Sequence, residues 1–228
     1  MSSQPANPEA ADRAAQAPAA GVFAHWPNRI TAIRFVGALI LFGVLGFVEQ
    51  AQPSADTARR MFTLATVLFV AVAATDWLDG WLARRHGHVT AFGRIADPFV
   101  DKILILGTFV FLAVLEPTSR FVPGWLVVMV LARELLVTGI RGYVESLGRS
   151  FAADRWGKIK MIVQCIAIGV VLSLEGIAWP GGLHDAMIWV AYISVALTLI
   201  SSLQSGFSYA FKCRAILAED PGSGGLSS

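Results

Sequence analysis

Four aspartates lie in two spaced pairs, and their spacing is suited to chemistry. Asp76 and Asp79 are three positions apart at the end of a long apolar run, and Asp97 and Asp101 are four positions apart further along. Both intervals place the two carboxylates of a pair on one face of a helix. The second pair also predicts that a helix begins at Pro98, with Asp97 as its N-cap.

Carboxylates beside long apolar segments need a compensating charge. One aspartate in the middle of a membrane costs about 2.5–3.5 kcal/mol, and four that converge also repel one another. Protons or cations can compensate them. Carboxylate oxygens are hard ligands that suit Mg²⁺, Mn²⁺ or Ca²⁺, and two pairs can hold one ion or two ions about 3.5–4 Å apart. The residues predict a divalent metal site, and a proton relay stays open as the alternative.

The spacing resembles the signature of the CDP-alcohol phosphatidyltransferase family, D-x2-D-G-x2-A-R-x8-G-x3-D-x3-D. The eight positions in this chain are Asp76, Asp79, Gly80, Ala83, Arg84, Gly93, Asp97 and Asp101. The resemblance implies that the four aspartates bind Mg²⁺ or Mn²⁺ and that Asp101 is also the general base. It implies that the six positions from Asp76 to Gly93 bind CDP-diacylglycerol, with Arg84 on a phosphate. Packing between helices is the alternative role of the small residues.

A second group of charges follows in the later apolar segments. Arg133 and Glu134 interrupt one segment, Arg141 follows two helical turns later, and Lys158 and Lys160 open the next segment. An arginine in the middle of an apolar helix is expected to face a polar cavity. Converging cations predict an anion site. The alternative is that Glu134 pairs with an arginine and that the lysines only mark the cytoplasmic side.

These later segments narrow the resemblance. The stretches ARELLVTGIRGYVESLG and WGKIKM resemble the phosphatidylglycerolphosphate synthases of the same family, and the likeness runs over about residues 26–212. It implies that Arg133, Arg141, Lys158 and Lys160 bind the phosphate of the acceptor alcohol. Met161 stands where those enzymes usually carry threonine, so the acceptor site departs from their pattern there.

The start of the apolar region matches the opening of the family, P-N-x-x-T-x-x-R. Asn28, Thr31 and Arg34 occupy its polar positions and are expected to line the polar mouth of the site. Arg34 could contact a phosphate, or it could extend toward lipid headgroups.

The composition indicates how these residues are held. The chain is 55% hydrophobic and 15% charged, whereas soluble domains have about 25% charged residues. Six apolar segments are each long enough to cross a membrane: about Ile30–Val48, Met61–Leu82, Pro98–Leu115, Val122–Leu147, Lys158–Leu174 and Ala186–Phe211. The predicted fold is an all-α, polytopic membrane bundle of six transmembrane helices, with a short interfacial helix near residues 22–28.

Domain organisation and orientation follow from composition and charge. Residues 1–21 are predicted to be disordered, residues 22–213 to form the membrane domain, and residues 214–228 to be a flexible tail. Lys and Arg are enriched in the links between the second and third and between the fourth and fifth segments. The positive-inside rule then predicts that both termini and the aspartates face the cytoplasm from the cell (inner) membrane.

The implied reaction is transfer of a phosphatidyl group from CDP-diacylglycerol to sn-glycerol 3-phosphate, which gives phosphatidylglycerol phosphate and CMP. Inositol phosphate, serine or phosphatidylglycerol as the acceptor stays open within the family. A divalent-cation or proton-coupled transporter is the alternative from another class. The protein is expected to lie in the lipid bilayer and to have no nucleic-acid partner. Formation of a homodimer stays open.

Overall fold

The structure, a computed structural model, describes residues 26–86, 91–146, 148 and 155–218, and every element in these ranges is a helix. The seven helices are α1 (Trp26–Ala51), α2 (Ala55–His86), α3 (Ala91–Val114), α4 (Glu116–Ser119), α5 (Gly124–Ser146), α6 (Arg155–Gly176) and α7 (Gly181–Ala218). A helix pairs its backbone groups internally, which apolar surroundings require. The prediction of an all-α fold is confirmed.

Within the residues that the structure describes, four helical segments are long and apolar enough to cross a membrane. They are Asn28–Ala51, Ala55–Thr75, Ile159–Gly176 and Gly181–Phe211. The other two long helices interrupt their apolar runs with charge, α3 at Asp97, Asp101 and Lys102 and α5 at Arg133, Glu134 and Arg141. The chain is a polytopic membrane protein, and its described part contains six long helices. The crossing of the membrane by α3 and α5 stays a prediction.

Three predicted boundaries differ from the structure or lie beyond it. Because α3 begins at Ala91, Pro98 lies inside the helix and Asp97 is not an N-cap. Proline removes one backbone hydrogen bond, and the packing of α3 against its neighbours outweighs that loss. The interfacial segment lies largely outside the described residues, as do residues 1–21. Helix α7 continues to Ala218, beyond the predicted start of the tail at residue 214.

The four-residue helix α4 has no counterpart in the sequence prediction. It lies in the link between α3 and α5, where Thr118 donates a hydrogen bond from its hydroxyl to the carbonyl of Leu112 at 2.7 Å. On the same side of the bundle, Arg120 pairs with Glu175 at 2.9 Å. These contacts close the end of the bundle that lies opposite the aspartates.

Helix α3 has a central place in the bundle. It packs against α1, α5 and α6, while α2 packs against α1 and α6, and α7 packs against α5 and α6. The interior is apolar, and its largest fully buried side chains include Leu41, Phe69, Phe109, Ile168 and Leu172. Because α3 touches three long helices, its polar first half is placed beside residues from each of them.

Glycines allow two close helix crossings. A Cβ added to Gly107 on α3 would lie 2.3 Å from Cζ of Phe42 on α1, and one added to Gly176 would lie 2.5 Å from the backbone nitrogen of Thr63 on α2. Thr63 also donates a hydrogen bond from its hydroxyl to the carbonyl of Gly176 at 2.7 Å. These contacts fix α1 against α3 and α2 against α6.

Candidate active site

The polar residues of the two sequence clusters lie at one end of the bundle. Consecutive long helices run in opposite directions, so the first turns of α1, α3 and α6 meet the last turns of α2, α5 and α7. Side-chain contacts between helices establish this: Thr31 with Asp97, Arg34 with Asp101, Lys102 with Thr138, Lys160 with Glu134, and Arg141 with Tyr209. The predicted acidic and cationic clusters therefore share one polar end.

Helix α1 holds two of the predicted metal ligands. Thr31 donates a hydrogen bond from its hydroxyl to Oδ1 of Asp97, and Arg34 donates from Nη2 to Oδ1 of Asp101. Thr31 and Arg34 are three positions apart on α1, and Asp97 and Asp101 are four positions apart on α3. The two donors therefore lie about one turn apart on one helix, and the two acceptors lie about one turn apart on the other, parallel helix. Partners in an outer layer of this kind fix the orientation of carboxylate ligands. Helix α1 therefore orients the side chains of Asp97 and Asp101.

Burial distinguishes the two members of the ion pair. Arg34 is only 3% exposed, whereas the side chain of Asp101 is 23% exposed. Asn28, one turn earlier on α1, is 2% exposed. Arg34 therefore does not extend toward lipid headgroups, which was one of its two predicted roles. The carboxylate of Asp101 stays accessible although its partner Arg34 is buried.

The other motif residues lie on described helices, but their side chains are outside the described part of the structure. Asp76, Asp79, Gly80, Ala83 and Arg84 belong to the last three turns of α2. Gly93 lies in the first turn of α3. Their backbone positions agree with a place at the same end of the bundle as Asp97 and Asp101.

A buried ion network joins the three later helices. Glu134 accepts hydrogen bonds at Oε1 from Nη1 of Arg133 and from Nζ of Lys160, and Arg133 also donates from Nη2 to Oγ of Ser205. The three charged residues are 7%, 7% and 8% exposed in the order Glu134, Arg133, Lys160. Removal of one member of a buried ion pair costs about 3–5 kcal/mol. The pairing of Glu134 with an arginine, one of the two interpretations of the sequence, is present.

Arg141 occupies a different position from Arg133 and Lys160. It is exposed, and its Nη2 donates a hydrogen bond to Oη of Tyr209 at 2.8 Å. The Tyr209 ring also lies beneath two guanidinium groups, with its centroid 5.8 Å from Cζ of Arg141 and 6.0 Å from Cζ of Arg133. Arg141 is therefore a cation that is held in place and open to an anion. Lys158 lies in the first turn of α6, and its side chain is outside the described part.

Sequence reasoning missed the contribution of α7 to this site. Ser205 and Tyr209 reach the two arginines, and both are buried, at 0% and 4% exposure. A signal was present in the sequence, because hydroxyl groups recur every three or four positions along one face of this apolar helix. The stripe consists of Ser194, Thr198, Ser201, Ser202, Ser205 and Tyr209.

The donor set fits a divalent cation. The four predicted ligands are all carboxylates, the oxygen donors that Mg²⁺ and Mn²⁺ prefer. Two of them, Asp97 and Asp101, lie one turn apart on α3 and are oriented from α1 through a single oxygen each. A carboxylate has two oxygens and about four lone-pair sites, so each retains capacity for a metal ion.

Comparison with known proteins identifies the architecture. The family model for CDP-alcohol phosphatidyltransferase matches residues 24–200. The chain belongs to the CDP-alcohol phosphatidyltransferase family. The matched residues include both aspartate pairs and the later cations on α5 and α6. The match ends within α7. Membership in this family favours a phosphatidyltransferase over the transporter that the aspartates alone had left open.

Individual members of the CDP-alcohol phosphatidyltransferase family extend the comparison. The chain is 31% identical over 186 residues to a protein of Bacillus subtilis, an alignment that covers 77% of this chain and 90% of the relative. It is 32% identical over 201 residues to a protein of Escherichia coli, covering 85% and 97%. A Haemophilus influenzae protein is 30% identical over 182 residues, covering 78% and 89%. All three relatives are named CDP-diacylglycerol–glycerol-3-phosphate 3-phosphatidyltransferase.

Proposed function

We propose that this protein transfers the phosphatidyl group of CDP-diacylglycerol to sn-glycerol 3-phosphate, forming phosphatidylglycerol phosphate and CMP. The names of the relatives support this reaction. The observation that carries it in the structure is that the carboxylates of α3 lie at the same polar end as the cations of α5 and α6, with Lys102 of α3 bonded to Thr138 of α5. One group of residues suits a metal and a nucleotide diphosphate, and the other suits a phosphorylated acceptor.

Divalent metal would be held by Asp76, Asp79, Asp97 and Asp101. When bound, Mg²⁺ or Mn²⁺ supplies positive charge that stabilises the diphosphate and the departing nucleotide phosphate. Thr31 and Arg34 keep two of the ligands oriented, as described for α1.

The donor nucleotide would bind along the end of α2 and the start of α3. Gly80 and Ala83 are small, so a flat nucleotide can approach the helix closely, and Arg84 supplies a fork of donors for a phosphate. Gly93 would keep the opening turn of α3 equally accessible. The two acyl chains of CDP-diacylglycerol would stay among the apolar helix faces in the bilayer.

Asp101 is proposed as the general base. Its carboxylate would take the proton of the acceptor hydroxyl, and the oxygen would form a bond to the β-phosphorus of CDP-diacylglycerol. The bond from that phosphorus to the oxygen it shares with the α-phosphate would break, and CMP would leave. Arg34 holds Oδ1 of Asp101, which directs the rest of the carboxylate toward the substrate.

The acceptor phosphate is proposed to bind at Arg141 and Lys158, with Arg133 and Lys160 behind them. Arg141 is exposed and held by Tyr209. Arg133 and Lys160 are buried with Glu134, so their contribution is to position α5 and α6 and to add positive charge. A cationic site favours a phosphorylated alcohol over serine.

The proposed setting is the inner membrane of a bacterial cell, with the active site toward the cytoplasm. The Lys and Arg of the links at the polar end support this orientation through the positive-inside rule. We propose that residues 22–213 form the catalytic membrane domain between a disordered first segment and a flexible tail.

The test is release of CMP by the purified protein in the presence of CDP-diacylglycerol and Mg²⁺ or Mn²⁺. We expect release with sn-glycerol 3-phosphate, and little with glycerol, serine, inositol phosphate or phosphatidylglycerol. We also expect EDTA to abolish release and either metal to restore it. Full turnover in EDTA would contradict the metal site, and preference for another alcohol would change the assigned acceptor.

A further inference from the structure

Lys102 connects the helix of the aspartates with the helix of the arginines. It follows Asp101 directly on α3, and adjacent residues of a helix point about 100° apart. Asp101 accepts its hydrogen bond from α1, whereas Nζ of Lys102 donates to Oγ1 of Thr138 on α5 at 2.5 Å. The ammonium group therefore lies between the proposed general base and the cationic cluster.

Its position on α5 is central to that cluster. Thr138 is four positions after Glu134 and three before Arg141, so the three residues form one face of the helix. Glu134 already accepts hydrogen bonds from Arg133 and Lys160. Thr138 is neutral, and its hydroxyl donates to the carbonyl of Glu134 at 2.7 Å.

Positive charge exceeds negative charge around Thr138 in the contacts of the described residues. Arg133, Lys160, Arg141 and Lys102 bring four positive charges from α3, α5 and α6, and Glu134 brings one negative charge. Glu145 follows Arg141 by four positions and is exposed at the end of α5. Asp101 is engaged by Arg34 on the side of α3 that faces α1. Lys102 is half-buried and Arg141 is exposed, so both can meet a ligand that enters from the polar end. Such an excess of positive charge suits an anionic ligand.

We propose that Lys102 binds the phosphate of the acceptor together with Arg141. The inference rests on the proposed function and names a further binding residue for it. Asp101, the proposed base, and Lys102 are adjacent on α3. An acceptor that contacts both must therefore have a short distance between its reacting hydroxyl and its phosphate. Lys102 is thus a determinant of specificity for a small phosphorylated alcohol.

The test replaces Lys102 by glutamine and by arginine and measures kcat and KM for both substrates. Lys102→Gln can still donate a hydrogen bond to Thr138 but carries no charge. Loss of one charge-assisted contact is expected to raise the KM for sn-glycerol 3-phosphate by roughly 10- to 150-fold. The KM for CDP-diacylglycerol is expected to stay unchanged, and Lys102→Arg to recover most of the affinity for the acceptor.

Two further variants separate binding of phosphate from bracing of the helices. Thr138→Val keeps the cation and removes the hydroxyl that accepts from Lys102 and donates to the carbonyl of Glu134, so its effect on the KM for the acceptor is expected to be much smaller than that of Lys102→Gln. Arg120→Met removes an exposed cation at the opposite end, where Arg120 pairs with Glu175, and is expected to leave both KM values unchanged. If Thr138→Val matched Lys102→Gln, the role of Lys102 would be structural and the inference would be wrong.

The remaining outcomes also decide the question. A rise in the KM for CDP-diacylglycerol instead of the acceptor would move Lys102 to the donor site, and unchanged constants would remove it from either site. Both results overturn the inference while the native enzyme remains active. Absence of CMP release by the native protein with sn-glycerol 3-phosphate would instead contradict the proposed function, so the two failures are distinguishable.

Discussion

Asp101 combines accessibility with a fixed orientation, which are the two properties a general base needs. Arg34 donates a hydrogen bond to one carboxylate oxygen of Asp101, and the Asp101 side chain is nonetheless 23% exposed. Asp97, one turn earlier, is held in the same way by Thr31. The pair shows how helix α1, whose residues carry no carboxylate at this end, can decide the direction of two carboxylates on α3.

We expect Asp101→Asn to lower kcat by at least about 10²-fold, the lower end of the effect of a general base. Asparagine keeps the shape of the side chain but does not accept the hydroxyl proton. Binding of CDP-diacylglycerol, measured by equilibrium titration, should be largely retained. Asp56→Asn, an exposed change in the first turn of α2, is the matched control. Normal turnover of Asp101→Asn would place the base elsewhere.

We expect substitution of Arg141 to raise the KM for the acceptor more than substitution of Tyr209 does. Arg141→Ala removes a charge-assisted contact, and should raise the KM for sn-glycerol 3-phosphate by roughly 10- to 150-fold. Tyr209→Phe keeps the ring beneath both arginines but removes one hydrogen bond, worth about 0.5–1.5 kcal/mol, so the same KM should rise by only roughly 2- to 13-fold.

Steady-state kinetics with both substrates varied checks this prediction. Tyr192→Phe is the matched control, because Tyr192 lies on the same helix at the other end, where its ring packs at a tilt against Phe121 with the centroids 5.0 Å apart. Addition of Tyr209→Phe to Arg141→Ala should cause little further loss, since the hydrogen bond is already absent. A rise in the KM for CDP-diacylglycerol in Arg141→Ala would instead assign Arg141 to the donor site.

At the scale of the helices, the crossing of α2 and α6 depends on the absence of a side chain. Gly176→Ala would place a Cβ 2.5 Å from the backbone nitrogen of Thr63, and a backbone moves aside less easily than a side chain. Overpacking of this kind costs about 1–3 kcal/mol. Thermal unfolding followed in detergent should show a lower midpoint, while the two KM values stay unchanged.

Gly169→Ala on the same helix is the control, because nothing lies within 4 Å of the added Cβ. Alanine is also the better helix former there, so this variant should be at least as stable as the native protein. Equal stability of Gly176→Ala and Gly169→Ala would show that the crossing can relax without cost.

Sequence reasoning predicts elements well where one physical requirement dominates. Long apolar runs predicted all six long helices, because a chain in apolar surroundings must pair its own backbone groups. The predicted start of α3 was wrong, because Asp97 and Pro98 together resemble an N-cap followed by the first residue of a helix. Tertiary packing carries the helix back to Ala91. The short helix α4 has no apolar periodicity to reveal it.

The site was predictable in part, for a related reason. Spacing within one segment brought out the aspartates, and charges within apolar runs brought out Arg133, Glu134 and Arg141. The partners that hold them come from other helices: Thr31 and Arg34 were found by resemblance, and Ser205 and Tyr209 were not found. Pairing between helices is a property of the packed bundle, so spacing along one segment does not reveal it.

For the whole molecule, the position of the charges predicts an orientation in the membrane. We expect Ser146, at the exposed end of α5, to lie on the cytoplasmic side and Pro117 in α4 to lie on the opposite side. Single Ser146→Cys and Pro117→Cys variants, made after replacement of Cys165 and Cys213, can be treated with a membrane-impermeant maleimide on intact cells. Pro117→Cys should be labelled directly, and Ser146→Cys only after the cells are made permeable.

The reverse labelling pattern would show the opposite orientation. Labelling of both positions on intact cells would contradict the crossing of the membrane by α5 that the six-helix prediction requires. Cys165 and Cys213 are only partly buried, which is why they have to be removed first.

The buried network around Glu134 has a consequence for how the protein is made. Arg133 and Glu134 belong to α5, but Lys160 arrives with α6 and Ser205 with α7, so α5 leaves the ribosome before its partners exist. A charged residue at the centre of a membrane costs about 2.5–3.5 kcal/mol, and the later helices supply part of the compensation. For an α5 that crosses the membrane as predicted, the pair of Arg133 and Glu134 is made within the helix, and the network is complete only after α6 and α7 have been synthesised.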